Sequence, residues 1–147
     1  MHTVAIGCDP NAAAAKTEMI AFLKKKGYQV ADFGSDDPIY ANVAAGVARA
    51  VAGGAYDRGI LICGTGIGVS LAANKVKGAY AALLTDVYSA ERARMSNDAN
   101  IACFGAFTLG IMHMLKLAET FLASEFEPGC ASQPKVDRIR AIEMEMG

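Results

Sequence analysis

The sequence predicts an α/β fold, a three-layer α/β/α sandwich built on a five-stranded parallel sheet. Short apolar segments alternate with longer helical segments through the 147 residues, as in sheets whose parallel strands are joined by helices. The third apolar segment, Gly59–Cys63, is apolar on both faces, which is typical of a central strand covered on both sides.

The first half of the chain provides three strands and two helices. In order they are strand Val4–Gly7, helix Ala12–Lys26, strand Tyr28–Phe33, helix Tyr40–Ala52 and strand Gly59–Cys63. The first helix is predicted because Met19 and Leu23 fall on one apolar stripe. Gly27 is its stop signal, and Gly53 and Gly54 close the second helix in the same way.

The second half continues the alternation and ends in an additional helix. Its elements are helix Ile67–Lys75, strand Ala79–Leu84, helix Val87–Ser96, strand Ile101–Phe104 and helix Leu109–Ser124. A last helix over 135–146 is predicted because apolar residues recur three or four positions apart, at Val136, Ile139, Ile142 and Met146. We expect this helix to pack on a partner subunit, and residues 1–147 to form a single domain.

Composition and charge narrow the class of protein. Hydrophobic residues make up 53% and charged residues 20%, which indicates a globular chain, and the net charge of −1 gives no reason to expect nucleic acid or an acidic membrane as partner. We expect neither a signal peptide nor a membrane span. The four cysteines form no C-x-x-C pair, so reduced thiols in a cytoplasmic protein are expected, without a zinc site.

Three strand ends are expected to carry the chemistry. In open parallel sheets, ligands bind beyond the carboxyl ends of the strands, near the point where strand order reverses. That rule selects Cys8-Asp9, Cys63–Ser70 and Thr85-Asp86, together with Gly105 after the last strand.

The strongest signal is the segment Cys63–Ser70, which runs from a strand end into a helix. Gly64, Gly66 and Gly68 permit a tight turn whose N–H groups point into one concavity, and such a nest attracts a phosphate or an enediolate. A thiol beside these donors should favour its thiolate form. The alternatives are a turn packed closely for steric reasons and an inert buried thiol. The segment fits neither a dinucleotide fingerprint nor a nucleotide P-loop.

Other polar residues have two interpretations each. Asp9 should face the same cleft, and it is also placed to cap the helix that follows. Asn97 could hold a substrate hydroxyl, although asparagine is also an ordinary loop former. Lys135, Arg138 and Arg140 form a basic cluster, a solvated face unless a subunit partner brings it to a site.

Five segments carry a family resemblance, in matching order through nearly the whole chain. They are Gly7-Cys8-Asp9, Ile62–Gly68, Ala73-Asn74-Lys75, Tyr88-Ser89-Ala90 and Asn97–Asn100. Together they resemble the ribose-5-phosphate isomerase B family, which also includes galactose-6-phosphate isomerase subunits and tetrose-phosphate isomerases of erythritol catabolism.

The resemblance implies a Rossmann-like fold and an aldose–ketose isomerase of a small sugar phosphate that uses no metal or cofactor. It also implies a homodimer or homotetramer with active sites shared between subunits. In the family's pattern, Cys63 matches the catalytic base and Thr65 the group that assists proton transfer at the substrate oxygens. Gly64, Gly66 and Gly68 match the anion hole for the enediolate. The positions matched to substrate binding also include Asp9, Ser70, Ser96, Asn97 and Lys135.

Several positions depart from the family's pattern. The family commonly has histidine at the positions of Pro10 and Ser96, and the histidine at the second position opens the sugar ring. Tyrosine is usual at the position of Asp37. Phe107 and Ala131 replace arginines that bind phosphate, while the last such position holds Lys135. Either Lys135 and Arg94 compensate for the lost charge, or the substrate carries its anion elsewhere.

The serine at position 96 bears on the substrate. A pentose or hexose phosphate exists mostly as a ring and needs an acid–base group to open it. A tetrose 4-phosphate cannot close a furanose because the oxygen required is esterified. Erythrose 4-phosphate is therefore a candidate beside the pentose phosphates, and Tyr40-Ala41-Asn42, Tyr56-Asp57-Arg58 and Ser89–Arg92 are similar to the tetrose branch. The lost arginines argue the other way, since that branch usually keeps some of them.

Two alternatives stay open. The chain could be one subunit of a heteromeric isomerase like galactose-6-phosphate isomerase, in which a sister chain supplies the missing histidine and arginines. It could also be a non-catalytic relative that binds a sugar, although the intact segment Cys63–Ser70 argues against lost chemistry.

Overall fold

A sheet of five parallel strands forms the centre of the protein, which we describe over residues 2–146 from a computed structural model. The strands are β1 Thr3–Cys8, β2 Gln29–Asp32, β3 Arg58–Cys63, β4 Ala81–Leu83 and β5 Ile101–Gly105. The helices are α1 Ala13–Lys25, α2 Tyr40–Ala52, α3 Ile67–Ala73, α4 Val87–Met95, α5 Ile111–Ala123 and α6 Gln133–Glu145. A short 3₁₀ turn, Pro10–Ala12, precedes α1.

The strand order is β2-β1-β3-β5-β4, and every neighbouring pair is parallel. The order reverses between β1 and β3, because β2 lies outside β1 on one side and all later strands lie on the other. This switch point puts the ends of β1 and β3 side by side. The predicted α/β fold with a five-stranded parallel sheet is confirmed.

Helices cover both faces of the sheet. Side chains of α1, α4 and α5 pack on one face in a core that includes Met19, Ala90 and Leu117. Side chains of α2 and α3 pack on the other, where Val47 and Val69 are fully buried. The alternation of strand side chains between the two faces explains why the central strands are apolar throughout.

Several predicted elements extend one or two residues beyond the observed ones, and at two of these boundaries local hydrogen bonds replace the regular pattern. Strand β4 begins at Ala81, not Ala79, since the side-chain oxygen of Asn100 accepts the Tyr80 N–H at 2.8 Å. Helix α5 begins at Ile111, not Leu109, because Leu109 donates its N–H to the Gly105 carbonyl in a turn.

The last helix is anchored to its own chain at a few points. The Glu143 carboxylate accepts the Gly78 N–H at 3.1 Å and the Tyr80 hydroxyl at 2.7 Å. Val136 is buried, whereas Ile139 and Ile142 are exposed. Packing of α6 on a partner subunit therefore stays a prediction.

Within residues 2–146, none of the helices combines the length and the apolar composition that a bilayer crossing requires.

Candidate active site

Cys63 lies at the carboxyl end of β3, the position that the switch-point rule selects. It pairs with Gly105 of β5 on one side, and Ile62 before it pairs with Cys8 of β1 on the other. The residue is only 4% exposed. The backbone N–H of Gly66 donates to Cys63 Sγ at 3.1 Å. A donor aimed at sulfur stabilises negative charge there.

The loop after Cys63 needs glycine for steric reasons as well as chemical ones. Gly66 has a φ of +80°, and a Cβ there would lie 2.9 Å from the carbonyl carbon of Phe104. A Cβ at Gly64 would lie 2.9 Å from the ring of Phe107, and one at Gly68 would overlap the ring of Tyr40. The tight turn predicted from the three glycines is therefore present.

Backbone hydrogen bonds orient the peptide groups of this loop. Ala106 donates its N–H to the Cys63 carbonyl at 2.8 Å, and Phe107 donates to the Gly64 carbonyl at 2.9 Å. In a trans peptide the N–H points opposite to the C=O. The N–H groups of Gly64 and Thr65 therefore face away from the turn at 105–108.

Asp9 sits beside Cys63, at the end of the neighbouring strand. Its N–H donates to the Ile62 carbonyl at 3.1 Å, and its Oδ1 accepts the Ala12 N–H at 3.2 Å. The capping role considered from the sequence is therefore real. Among residues 2–146, no donor contacts the other carboxylate oxygen of Asp9, so capping leaves it free for a substrate hydroxyl.

Thr65 and Ser70 follow Cys63 along the same segment. Thr65 is exposed and its hydroxyl oxygen accepts the Ile67 N–H at 3.2 Å. Ser70 is partly buried in α3, and its N–H donates to the Gly66 carbonyl. The structure thus brings Asp9, Cys63 and the residues up to Ser70 to one edge of the sheet.

An ion pair between a buried lysine and an exposed aspartate supports this edge of the sheet. Lys16 is 5% exposed, and its Nζ lies 2.7 Å from Asp32 Oδ1 at the end of β2. The same oxygen accepts the Gly34 N–H, and the Gly34 carbonyl accepts the Cys8 N–H at 3.2 Å. These bonds hold the turn after β2 against the end of β1, where Asp9 follows.

The thiols of Cys8 and Cys103 differ from that of Cys63. Burial raises the pKa of Cys8 to about 11, and burial also raises the pKa of Cys103 far above the ordinary thiol value. Both side chains are fully buried in the two cores. They are inert core thiols.

Ser96 and Asn97 lie at the opposite edge of the sheet. They follow α4 and precede β5, whose first residue Ile101 pairs with Gly59, whereas Cys63 pairs with Gly105 four residues later. Four residues of strand span about 13 Å. One chain by itself therefore does not bring Ser96 and Asn97 to Cys63.

Lys135 lies on α6, at the opposite end from Glu143. It is exposed in the first turn of α6, the helix that is anchored to Gly78 and Tyr80 before β4. Arg94 does not compensate for the lost arginines as expected from the sequence. Its side chain is only 3% exposed and binds Asp98 Oδ1 and the carbonyl oxygens of Ala99 and Ser124. Its position inside the fold makes it a structural residue.

A cavity of about 420 Å³ runs along the open edge strand β4. Its polar side chains come from four places in the sequence: Asn74, Tyr80, the α4 pair Ser89 and Arg92, and Asn97. Leu83 lines the cavity and also reaches towards Gly66. A Cβ built on Gly66 would lie 2.6 Å from Cδ1 of Leu83. The cavity thus extends from Asn97 at one edge towards the Cys63 loop at the other.

The roles of three residues near these features were not predicted from the sequence. Tyr40 packs on Gly68 because α2 begins at the same edge as Cys63, and Phe107 packs on Gly64. Arg92 lines the cavity with Asn97. The spacing of Arg92 and Ser96, four residues apart on one helix, was the signal that could have identified it.

Histidine, cysteine, aspartate and glutamate side chains of residues 2–146 form no group of three or more suited to a metal ion.

Comparison with known proteins identifies close relatives along the whole chain. The model of the family described as Ribose/Galactose Isomerase matches residues 4–139. Ribose-5-P isomerase B of Listeria innocua is 46% identical over 143 residues, 95% of this chain and 96% of that protein. D-erythrulose-4-phosphate isomerase of Pectobacterium atrosepticum is 43% identical over 143 residues, 95% of this chain and 93% of that protein. Among solved structures, ribose-5-phosphate isomerase B of Clostridium thermocellum superposes with a TM-score of 0.93 at 41% identity, covering 99% of both chains.

Proposed function

Because this chain belongs to the ribose/galactose isomerase family, we propose that it interconverts the aldose and ketose forms of a four-carbon sugar phosphate with Cys63 as the base. That the protein is a sugar-phosphate isomerase follows from the relatives alone. The observation that carries the role of Cys63 is the Gly66 N–H aimed at its Sγ, at the switch point of the sheet.

The proposed reaction is a proton transfer between neighbouring carbons. The Cys63 thiolate removes the proton from C2 of the aldose, and the electron pair of that C–H bond forms a C1=C2 enediolate with negative charge on O1. A proton then moves from O2 to O1, a step that we assign to the Thr65 hydroxyl. The Cys63 thiol returns its proton to C1, which leaves a ketone at C2. A positioned base of this kind contributes about 10²- to 10⁴-fold to the rate.

The charge that develops on oxygen requires donors that are already in place. The N–H groups of Gly64 and Thr65 point away from the turn at 105–108 because their peptide carbonyls are bonded to that turn. We propose that they and the Gly68 N–H face the enediolate. Donors fixed before the reaction cost no reorganisation when charge appears.

Substrate hydroxyls are assigned to the side chains beside this loop. Asp9 has one carboxylate oxygen engaged in capping and the other available. Ser70 stands one helical turn after Gly66. We propose that both bind hydroxyl groups of the sugar chain.

The remaining binding residues must come from another copy of the chain. Ser96 and Asn97 lie at the edge of the sheet opposite Cys63, and Lys135 is exposed in the first turn of α6. We therefore propose that residues 1–147 form one domain, and that a homodimer or homotetramer apposes the Cys63 edge of one copy with the Asn97 edge of another. The exposed Ile139 and Ile142 of α6 would be covered in the same contact.

Ser96 supports a four-carbon substrate. A serine hydroxyl is a poor acid–base group near neutral pH, so it would not open a sugar ring efficiently. A tetrose 4-phosphate is open-chain or hydrated and has no need of that step. We also propose that the enzyme works in the cytoplasm, because a base thiol must stay reduced.

Proton NMR in deuterium oxide tests this proposal. Purified protein is incubated with erythrose 4-phosphate, ribose 5-phosphate and galactose 6-phosphate, and deuterium entry beside the carbonyl is followed. We expect exchange with the tetrose, at least about 10³-fold slower in Cys63→Ala. Cys103→Ala, which removes a thiol from the adjoining strand, should retain the activity.

The other outcomes identify the alternatives. Equal turnover of ribose 5-phosphate would refute the argument from Ser96. Exchange that appears only after addition of a second isomerase subunit would indicate a heteromeric enzyme. Binding without exchange would indicate a sugar-binding relative that has lost its chemistry.

A further inference from the structure

We propose that Arg92 binds the anionic end group of the substrate, a phosphate or a sulfonate, in the cavity beside β4. This inference rests on the function proposed above and names the group that replaces the missing arginines. Four observations carry it: the charge of the cavity, the donors of Arg92, its position on α4, and the state of the other basic residues.

The charge of the cavity favours an anion. Among the described residues that line it, Arg92 is the one that carries a charge, and the other polar side chains are two amides and two hydroxyls. A smaller cavity of about 190 Å³ on the other side of Arg92 is lined by Glu125 and Glu127. The carboxylates of the smaller cavity repel an anion, whereas no carboxylate among the described residues lines the larger cavity.

The guanidinium of Arg92 is poorly satisfied by the protein itself. Its Nη2 contacts Met95 Sδ at 3.0 Å and Glu91 Oε1 at 3.4 Å. Its Nε is buried and, within residues 2–146, has no hydrogen-bond partner. Thioether sulfur is a weak acceptor, and a buried donor without a partner is costly. An oxyanion in the cavity would supply a stronger acceptor to the terminal Nη groups, because a guanidinium presents its N–H groups as a fork suited to such groups.

The position of Arg92 connects it with the predicted substrate-binding residues. The Arg92 carbonyl accepts the N–H groups of Ser96 at 2.8 Å and Asn97 at 3.2 Å as α4 ends. Residues four apart lie on one face of a helix, so Arg92 and Ser96 share a face. Asn97 lines the same cavity. Any copy that presents Asn97 to a Cys63 loop therefore presents Arg92 as well.

The other basic residues at this edge are engaged or exposed. Arg94 is buried in bonds to Asp98 and two carbonyl groups, and Arg140 pairs with Asp98 and lies over the Tyr80 ring. Arg58 bonds to Glu125 and to the Asp57 carbonyl, and although its Nε also has no partner within residues 2–146, it lines neither cavity. Lys135 is exposed and lies outside the cavity lining. Within residues 2–146, Arg92 alone combines a position in this cavity with unused donors.

The test compares Arg92→Gln and Arg92→Lys with Arg49→Gln. Arg49 is an exposed arginine of α2, which packs on the opposite face of the sheet from α4. Each variant is assayed for deuterium exchange with erythrose 4-phosphate and with unphosphorylated erythrose. Inorganic phosphate and methanesulfonate are titrated into the same variants in a Cys63→Ala background, and the oligomeric state is checked by ultracentrifugation.

We expect Arg92→Gln to raise KM for the phosphorylated sugar about tenfold to a hundredfold with kcat within about threefold, because a charge-assisted bidentate contact is lost. Its activity on neutral erythrose should not change. Arg92→Lys should fall between, since it keeps the charge and loses the fork. Phosphate binding should weaken in parallel, and tighter binding of methanesulfonate would identify the end group as a sulfonate.

Failure of this inference is distinguishable from failure of the proposed function. Turnover with an unchanged KM in Arg92→Gln, or loss of the oligomer in that variant, would overturn the role of Arg92 and leave the isomerase proposal intact. Phosphate binding that depends on Arg92 in a protein without any turnover would support the anion site and refute the reaction. If the protein shows no turnover and no Arg92-dependent phosphate binding, both proposals are refuted.

Discussion

At the scale of single residues, the surroundings of each sulfur atom separate a reactive thiol from inert ones. Cys63 and Cys103 lie on adjoining strands and in the same core. Only Cys63 precedes a glycine loop that bends back and directs an N–H at sulfur. Cys103 lies inside β5 and Cys8 ends β1, where Asp9 and Pro10 follow instead of a glycine loop, and burial raises the pKa of both thiols.

Alkylation with iodoacetamide at pH 8 should discriminate among the four thiols. We expect Cys130, which is partly exposed, to react first without loss of activity. Cys63 should react next, and activity should be lost at the rate of its alkylation. Inorganic phosphate or substrate should slow the alkylation of Cys63. Cys8 and Cys103 should react at least about tenfold more slowly, because their pKa values are raised and reagent does not reach them. Peptide mass spectrometry after timed quenching measures the order, and inactivation that tracks Cys130 would contradict it.

At the scale of secondary-structure elements, two glycines in different elements have opposite effects on the stability of the fold. Gly66 links β3 to α3 with φ +80°, close to the backbone of Phe104. Gly46 lies inside α2, where a Cβ would meet the Phe33 ring at an ordinary 3.8 Å. The first glycine is required by the turn, whereas the second only adds conformational freedom to the unfolded chain.

Alanine substitutions at these two glycines should therefore shift stability in opposite directions. Gly46→Ala should increase the free energy of unfolding by about 0.5–1 kcal/mol. Gly66→Ala should decrease it by about 1–3 kcal/mol, because a side chain at positive φ is strained and the Cβ is crowded. It should also reduce activity, since the donor to Cys63 moves. Urea unfolding measures both effects, and a Gly66→Ala protein as stable and active as the parent would disprove the steric argument.

At the scale of the whole molecule, the parallel sheet divides the candidate site between two edges. Every strand points the same way, so residues that follow strands collect at one edge and residues that precede them at the other. Asp9 and Cys63 belong to the first edge, and Ser96 and Asn97 to the second. A two-fold symmetric dimer can bring the Cys63 edge of one copy to the Asn97 edge of the other, because the symmetry forms this contact twice.

Complementation between two inactive variants tests this division. Cys63→Ala and Asn97→Ala chains with different affinity tags are co-expressed, and the mixed oligomer is isolated on both tags. If sites are shared between copies, each mixed dimer has one intact site and one with both substitutions, so activity should be about half that of the unsubstituted protein. A site formed within one chain would leave the mixed oligomer inactive. The two pure variants are the controls.

Much of this protein was determined by its sequence alone. The alternation of strands with helices, the central strand Gly59–Cys63 and the glycine turn that follows are local patterns, and each survived into the structure with boundaries shifted by a few residues. Cys63, Asp9 and the glycines could be selected because a parallel sheet always puts the residues after its strands at one edge. The family resemblance extended that selection to the remaining site residues.

Only the tertiary structure decided which charged groups are available for binding. Arg92 and Arg94 are two residues apart and look alike in the sequence, yet they point to different sides of α4. Arg94 is buried against Asp98 and two carbonyl groups, while Arg92 lines the cavity with an unpaired Nε. Hydrogen-bond partners come from distant parts of the chain, such as Ser124 for Arg94. A local pattern contains the donor but not the acceptor, and for that reason the fold was needed to tell the structural arginine from the free one.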